Sequence, residues 1–182
     1  MVRKQPAAIV GAQDMRTVLI NLVAVGAIIM VVQPPAAAPW LVWNTSPSVP
    51  LGLYVSDGSV PGRGDVVLAR LPRPFAMLAH QRGYLPKTTY LLKPVVAIAG
   101  DSVCRLGRLI IVRGTPTALA AMHDTAGRRL PAWQGCRKLA PGEMFVLARA
   151  RHSFDSRYFG PLRRSDILGR AVRLSVSSGH DY

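Results

Sequence analysis

An uncharged run of sixteen residues near the N-terminus constrains this chain more than any other feature. Residues 17–32 carry no charged side chain, and only Thr17 and Asn21 are polar. As a helix the run would be about 24 Å long, against about 30 Å of bilayer hydrocarbon, so its flanks must help it to span. A buried helix of a soluble domain keeps a polar stripe, which this run lacks. We therefore expect a transmembrane signal-anchor helix over residues 16–33.

The charges around the run predict its orientation. Arg3, Lys4 and Arg16 precede it, and the next Lys or Arg is Arg63. Because positive charge stays on the cytoplasmic side, the N-terminus is expected in the cytoplasm and the rest of the chain is expected to be exported. The predicted segments are a cytoplasmic basic tail (residues 1–15), the anchor (16–33), a Pro/Ala linker (34–39) and an exported β-rich domain (40–182), to which the motifs described below assign catalysis.

A cleavable signal peptide is the alternative interpretation of this N-terminus. Ala36 and Ala38 have the small-residue spacing of a cleavage site. A cut after Ala38 would make Pro39 supply the leaving nitrogen, and proline has a fixed φ and no N–H to present to a protease that binds its substrate extended. For this reason we favour the uncleaved anchor.

Charge and composition exclude several classes of protein. The chain has 23 Lys or Arg against 9 Asp or Glu, a formal net charge of +14, and 49% of its 182 residues are hydrophobic. This apolar content excludes a disordered chain. The basic residues are scattered in short pairs, and export would keep the domain away from DNA, so the excess predicts solvated surface charge and no nucleic-acid partner.

The two cysteines predict a disulfide. Cys104 and Cys136 belong to no CxxC pair and have no histidine at metal-binding spacing, so we expect neither a metal site nor a cofactor. In an oxidising compartment the simplest state of the pair is a disulfide that closes a loop of about 30 residues. A Cys104 nucleophile, as in a sortase-like transpeptidase, is the less simple alternative.

The chain after residue 50 has the pattern of a mainly β domain. Short apolar and β-branched runs alternate with Gly and Pro, which predicts an antiparallel sandwich or partly closed barrel of six or more strands. One short helix is expected over residues 74–81, with Pro at its start and Gly83 beyond its end, and residues 124–127 are expected to form a turn. The predicted strands are residues 52–55, 65–69, 90–98, 109–112, 143–148 and 171–176.

Three segments carry groups suited to catalysis, and each also has an ordinary structural explanation. In residues 43–54, prolines and a glycine fix the backbone around Ser46 and Ser48, as an exposed nucleophile requires, but a Ser/Pro-rich linker has the same composition. Lys93 interrupts an apolar strand, where it either extends to the surface or is buried with a lowered pKa. A buried neutral amine could accept a serine proton. Residues 153–161 could orient a catalytic side chain or form a plain ion pair.

Taken in this order, the three segments resemble a known family. An N-terminal anchor, a Ser-x-Pro segment directly after it, a Lys-containing strand ending in Gly-Asp and a later Ser-x-Asp-Ser-Arg-Tyr-x-Gly are similar to the bacterial type I signal peptidases, the S26 family of Ser-Lys enzymes. More narrowly, residues 44–54, 93–94 and 153–161 resemble the TraF-type conjugative transfer peptidases. The resemblance covers about residues 17–174 and implies a signal-peptidase-like β-domain on the periplasmic side of a bacterial inner membrane.

The resemblance implies a role for each matching residue. Ser48 is implied to be the nucleophile and Lys93 its general base, and Ser46 is implied to lend its hydroxyl to the oxyanion hole. Three more residues are implied to support the dyad by holding the lysine amine and bracing the segment around it: Ser153, Asp155 and Arg157.

The resemblance also implies a substrate and partners. The expected activity is that of a membrane-anchored serine endopeptidase that processes exported precursors, with a pilin-like precursor of the conjugation apparatus bound as an extended strand. Maturation by hydrolysis and by head-to-tail cyclisation are both compatible with these residues. Membrane lipid and the conjugation or secretion machinery are the other implied partners.

The chain departs from the general signal peptidases at two positions. Those enzymes have Ser-Met-x-Pro where this chain has Ser48-Val49-Pro50, and they have Arg after the lysine where this chain has Pro94. Both departures fit the TraF branch. They argue against ordinary processing of secretory preproteins.

Two other functions compete with the Ser-Lys peptidase. A Ser-His-Asp hydrolase could use His123 or His152, although the histidines show no recognisable triad spacing. A non-catalytic envelope β-domain could instead act as an assembly component of a conjugation or type IV secretion apparatus.

Overall fold

Ten strands and two short helices make up residues 41–85 and 90–174, the part of the chain that the computed structural model describes. The strands are β1 Leu41–Asn44, β2 Gly52–Ser56, β3 Val66–Arg70, β4 Tyr90–Ala97, β5 Ser102–Leu106, β6 Leu109–Val112, β7 Thr115–Leu119, β8 Gly135–Lys138, β9 Phe145–Val146 and β10 Ile167–Arg173. The helices are α1 Arg73–Gln81 and α2 Ser156–Phe159, and a 3₁₀ turn covers Arg164–Asp166.

The strands form two antiparallel sheets. The larger sheet has the order β1-β2-β10-β3-β4-β9, and the smaller has the order β7-β6-β5-β8. The prediction of a mainly β, antiparallel domain is confirmed. Within residues 41–85 and 90–174, β1 and β9 are the outer strands of the larger sheet and do not pair with each other, so this sheet does not close into a barrel there.

All six predicted strands overlap observed ones. The helix predicted over residues 74–81 is observed, and it begins one residue earlier than predicted, at Arg73. Asp124 closes the expected turn, because its side chain accepts hydrogen bonds from the backbone N–H groups of Ala126 and Arg128. The predicted anchor over residues 16–33 and the linker after it lie outside the described residues. In the described part, no helix is both long enough and apolar enough to cross a membrane.

Strands β3 and β4, which are neighbours in the larger sheet, are buried on both faces. On one face, Val67 of β3 and Leu91 of β4 belong to a core cluster that also contains residues of α1 and α2. On the other face, Leu68 and Leu92 pack in a second cluster with Tyr54 of β2. A strand covered in this way favours apolar side chains at nearly every position, so a lysine in β4 is exceptional.

Strands β1, β2 and β10 share a sheet face that is apolar and largely exposed. The register aligns Leu41 with Val55 and Val55 with Val172, and it aligns Trp43 with Leu53. Antiparallel partners project on the same side of a sheet. Leu174 continues the second row, since its N–H donates to the Leu53 carbonyl. We call this surface the apolar face, and its members are Leu41, Trp43, Leu53, Val55, Val172 and Leu174.

Candidate active site

The side chain of Lys93 is buried in the middle of strand β4. Lys93 pairs in register with Val67 of β3, and only 6% of the residue is exposed to solvent. The sequence left open whether this lysine extends to the surface or is buried. It is buried, so its amine is removed from bulk water. Burial without a carboxylate in direct contact disfavours the charged ammonium form.

Ser48 lies on the loop that joins β1 to β2, and its hydroxyl meets the lysine amine. The Ser48 Oγ atom is 2.5 Å from Lys93 Nζ, although the residues are 45 positions apart in sequence. Ser48 is half-buried, and its neighbour Val49 is anchored in the core beside Leu92. The loop therefore presents one small hydroxyl to the amine.

Ser153 completes a triangle of polar atoms. Its Oγ atom accepts a hydrogen bond from Lys93 Nζ at 2.8 Å and lies 3.4 Å from Ser48 Oγ. Because Ser153 is itself buried, the amine is held between two hydroxyl groups. This contact fixes the direction of the nitrogen lone pair when the amine is neutral.

The environment lowers the pKa of Lys93 from its ordinary value of 10.5 to about 8. Desolvation by burial is the largest cause, and the positive charge of Arg157 acts in the same direction. The carboxylate of Asp155 opposes them by favouring the ammonium form. A substantial fraction of the amine is therefore neutral at mildly alkaline pH, which a general base requires.

Asn44 organises the loop that carries Ser48, a role that the sequence did not reveal. Its buried side-chain amide donates to the carbonyls of Ser46, Val49 and Pro50 at 2.9 to 3.0 Å. Its Oδ1 atom accepts from the backbone N–H of Ser46 at 3.1 Å. One side chain thus fixes the backbone on both sides of Ser48.

The hydroxyl of Ser46 points at Asn44. Ser46 is exposed, and its Oγ atom donates to Asn44 Oδ1 at 3.1 Å. Among residues 41–85 and 90–174, Ser46 makes no hydrogen bond to Ser48 or Lys93. Ser46 thus belongs to the same loop as Ser48, but in this conformation its proton is engaged by another group.

Asp155 and Arg157 form a buried, hydrogen-bonded ion pair. Arg157 Nε donates to Asp155 Oδ1 at 2.7 Å, and Arg157 Nη2 donates to both Asp155 Oδ2 and the Ala148 carbonyl. Asp155 also caps α2 through the Arg157 N–H and accepts from the Ala148 N–H. Because both buried charges are paired and hydrogen-bonded, they fix the conformation of the segment that begins at Ser153.

Two residues that the sequence did not point to support this segment from outside. Buried Arg105 of β5 donates to the Arg157 carbonyl at 2.5 Å, and the Trp133 indole donates to the Ser156 carbonyl at 2.9 Å. Both contacts are made to carbonyls of α2, a four-residue helix of about one turn that is too short to satisfy all of its carbonyls itself. They could be found only from the tertiary structure, because they join positions 23 or more residues apart.

The alternative catalytic groups are arranged differently. His80, His123 and His152 are exposed, and in the described ranges none of them makes a hydrogen bond to Ser48 or Lys93. Cys104 and Cys136 are cross-strand partners in β5 and β8 and form a disulfide. Within residues 41–85 and 90–174, no group of three or more His, Cys, Asp or Glu side chains could hold a metal ion.

Comparison with known proteins places the chain in a family. The model of the family described as "Signal peptidase, peptidase S26" matches residues 12–175. The chain is 35% identical to a probable conjugal transfer protein TraF of Sinorhizobium fredii, over 72% of this chain and 74% of that protein. It is 32% identical to a plasmid transfer protein TraF of Escherichia coli, over 69% of this chain and 77% of that protein.

Among solved structures, a signal peptidase I from Enterococcus faecalis V583 is similar, with 19% sequence identity and a TM-score of 0.36, over 64% of this chain and all of that chain. The assignment therefore rests on the sequence matches, which extend over most of the chain. The chain belongs to the signal peptidase family S26, among the relatives of the TraF conjugal transfer proteins.

Proposed function

We propose that this protein is a serine endopeptidase in which Ser48 is the nucleophile and Lys93 is the general base. The observation that carries the proposal is the 2.5 Å separation of Ser48 Oγ and Lys93 Nζ, combined with the burial of the lysine. Such a separation allows direct proton transfer. A lysine serves as a base at moderate pH only when its pKa is lowered, which burial achieves here.

The reaction starts when Ser48 Oγ attacks the carbonyl carbon of the scissile peptide bond and its proton passes to neutral Lys93. Ser153 keeps the amine in line by accepting one of its hydrogens. The tetrahedral intermediate collapses as Lys93 returns the proton to the leaving amine, which breaks the C–N bond and leaves an ester on Ser48. Water, or another amine, then attacks the ester while Lys93 again takes a proton, and the Ser48 hydroxyl is restored.

The oxyanion that develops in the transition state needs hydrogen-bond donors from the loop that carries Ser48. In the part of the chain described, the backbone N–H of Ser48 has no hydrogen-bond partner, so it is available to the oxyanion. Ser46 can supply a second donor if its hydroxyl turns away from Asn44 Oδ1. One donor of this kind contributes about 3 to 4 kcal/mol to transition-state stabilisation.

The proposed substrate is an exported precursor used in conjugal transfer, with a pilin-like precursor as the first candidate. This part of the proposal is supported by the relatives whose names place them in conjugal or plasmid transfer. Hydrolysis would release a shortened precursor. Attack by the precursor's own amino group would release a cyclic product that is lighter by one water molecule.

We further propose that the domain works at the outer surface of a bacterial inner membrane, held by an anchor over residues 16–33. The uncharged run of the sequence and the exposed apolar face both support this placement. The loop carrying Ser48 joins two strands of that face, so the nucleophile would lie close to the lipid. Trp43 is the most exposed member of the face, at 68%, and its indole suits the interfacial region of a bilayer.

Mass spectrometry of a precursor tests the peptidase proposal. A small exported pilin-like precursor is produced with the wild-type protein, with Ser48→Ala or with Thr45→Ala as a control in the same loop. The proposal expects a shortened or cyclised precursor with wild type and with Thr45→Ala, and the intact mass with Ser48→Ala. Transfer that depends on the protein but survives Ser48→Ala, with no change in precursor mass, would instead indicate an assembly component.

Quenching by brominated lipids tests the membrane placement. In proteoliposomes containing the full chain, the emission of Trp43 is expected to be quenched, and Trp43→Phe removes that quenched fraction. Trp133→Phe serves as the control, because Trp133 is half-buried against Phe145 and lies outside the apolar face. Equal quenching in wild type and Trp43→Phe would refute contact between the apolar face and the bilayer.

A further inference from the structure

A cleft of about 820 Å³ adjoins the dyad but does not contain it. Pro94, which follows Lys93, and His152, which precedes Ser153, both line the cleft, whereas Ser48, Lys93 and Ser153 do not. A volume of this size is typical of sites that hold an extended ligand. The cleft is therefore a concave surface distinct from the dyad, within one residue of two members of the proposed active site.

The cleft is lined by cations and by no carboxylate. Its charged residues are Arg108, Arg149, Arg151 and Arg157. Arg157 is neutralised by Asp155, but in the described residues the other three form no ion pair. Elsewhere on the domain the carboxylates of Asp57, Asp101, Asp124 and Glu143 are each paired with an arginine. In the described residues, Arg108, Arg149 and Arg151 thus bring into one concave surface three positive charges that no carboxylate compensates.

The walls of the cleft belong to the edges of the two sheets. Residues 117–119 come from β7, the outer strand of the smaller sheet, and residues 147–149 directly follow β9, the outer strand of the larger sheet. Outer strands carry unpaired backbone groups that an extended peptide can use. The side chains of Val96, Leu119 and Leu147 give the cleft apolar wall, which suits peptide side chains better than a lipid headgroup.

We propose that this cleft binds an acidic segment of the substrate, an extended stretch bearing Asp or Glu close to the scissile bond. The inference rests on the proposed peptidase function, since it names a feature of that enzyme's substrate. Arg149 and Arg151 are exposed, and their long side chains can meet carboxylates at varied positions. The cleft would then select precursors by charge, in addition to any selection at the residue that acylates Ser48.

Matched peptides test this inference. Each pair has the same length and scissile sequence and differs in three consecutive Glu or Gln residues, placed two to six positions from the scissile bond on its amino or its carboxyl side. The ratio of kcat/KM for the Glu peptide to that for the Gln peptide is measured for wild type, Arg149→Gln/Arg151→Gln and Arg73→Gln/Arg129→Gln. Arg73 and Arg129 are exposed, lie outside the cleft and form no ion pair in the described residues.

For at least one placement, wild type and the Arg73/Arg129 control are expected to prefer the Glu peptide. Loss of two exposed arginines should lower that preference about three- to tenfold. High salt should lower it as well, because these charges are screened by solvent ions. A ratio near one in wild type at every placement, or an unchanged ratio in Arg149→Gln/Arg151→Gln, overturns the inference.

Binding measured without turnover separates this inference from the peptidase proposal. The full-length Ser48→Ala protein is titrated with the same labelled peptides by fluorescence anisotropy. Cleavage of both peptides with equal efficiency and equal binding would leave the peptidase standing and overturn the acidic cleft. Selective binding of the Glu peptide that needs Arg149 and Arg151, with no cleavage by wild type, would do the reverse.

Phosphatidylglycerol vesicles test whether Arg149 and Arg151 contact an anionic lipid surface instead of the peptide. If Arg149→Gln/Arg151→Gln weakens contact with these vesicles and leaves the peptide ratio unchanged, the arginines face a lipid surface and the peptide inference is wrong. Under the inference, the substitution changes the peptide ratio by the same factor in detergent micelles and in the vesicles.

Discussion

Lys93 Nζ and Ser48 Oγ are 2.5 Å apart, and the lysine reaches that position from a strand that is otherwise apolar. The amine is desolvated by the sheet around it, and the hydroxyl is delivered by a loop whose backbone is fixed by a third residue, Asn44. The position of the amine therefore depends on the sheet around Lys93, and the position of the hydroxyl depends on Asn44. Substitutions at Lys93 and at Asn44 can test these two contributions independently.

The pH dependence of cleavage follows from the state of Lys93. Only the neutral amine accepts the Ser48 proton, and its pKa is about 8. At pH 6 about one part in a hundred of the enzyme is in the active form, so kcat/KM should rise about tenfold per pH unit up to pH 8 and then level off. The profile of kcat/KM between pH 5 and 10 checks this, and a flat profile from pH 5 to 7 would contradict it.

Replacing the base should stabilise the fold while it removes activity. Burying the lysine lowers its pKa from 10.5 to about 8, so wild type carries a stability cost at neutral pH of up to about 3 kcal/mol. Lost hydrogen bonds to two serines offset part of the gain. For Lys93→Met we expect an increase of about 1 to 2 kcal/mol in the free energy of unfolding at pH 7, measured by urea denaturation.

The same argument gives the sign of the pH effect on stability. Between pH 8 and 10.5 the unfolded chain holds a proton on Lys93 that the folded chain has released, so the free energy of unfolding of wild type rises with pH in that window. The advantage of Lys93→Met should therefore shrink from pH 8 to pH 10.5. If Lys93→Met has a lower free energy of unfolding than wild type at pH 7, burial of the amine does not destabilise the fold and the argument is wrong.

The six strands that the sequence predicted share one property. Each has an apolar run that packs into a core cluster, as Val67, Leu91 and Ile110 illustrate. The strands that it missed include β7 and β8, the outer strands of the smaller sheet, and β8 is exposed at all four positions. β9 is an outer strand too, but Phe145 and Val146 are buried, and this outer strand was predicted. A strand such as β8, whose side chains pack against no core cluster, carries no hydrophobic pattern from which it could be predicted.

The candidate site divides in a similar way. Ser48, Lys93, Ser153 and the Asp155–Arg157 pair could be named in advance because a family resemblance matched them to motifs, and the structure brings them together. The function of Asn44 was not predictable, since it depends on carbonyl groups of the loop folding back around one amide. The direction of the Ser46 hydroxyl depends on that same fold of the backbone.

Asn44 should affect catalysis through the position of Ser48. Asn44→Ala removes three donated hydrogen bonds from the loop, and we expect kcat to fall about ten- to a hundredfold with a destabilisation of about 1 to 3 kcal/mol. The apparent pKa of the kcat/KM profile should stay near that of wild type, because Lys93 remains buried. Thr45→Ala, in the same loop, is the control.

Asn44→Asp refines the test of loop positioning. The aspartate keeps an acceptor for Ser46 but turns two donors toward carbonyl groups into acceptors, so it should be at least as damaging as Asn44→Ala. Activity close to wild type in either Asn44 variant would show that the loop holds Ser48 without this side chain.

The disulfide should contribute to stability and not to the chemistry. Cys104 and Cys136 enclose a sequence separation of 32 residues in the smaller sheet, for which the loss of a cross-link costs about 3 to 4 kcal/mol. Cys104→Ser/Cys136→Ser is expected to unfold at a lower urea concentration and to retain precursor cleavage at 25 °C. Full loss of cleavage in a variant that circular dichroism shows to be folded would assign the disulfide a role in the site.

The protonation state of Lys93 can be measured directly, without knowledge of the substrate. The chain contains only four lysines, Lys4, Lys87, Lys93 and Lys138, so lysine-selective ¹³C labelling of the methylene beside each amine gives a small set of resonances to follow against pH by NMR. We predict one resonance that titrates near pH 8 and is missing from Lys93→Met. If no resonance that depends on Lys93 titrates near pH 8, a buried, neutral base beside Ser48 is contradicted.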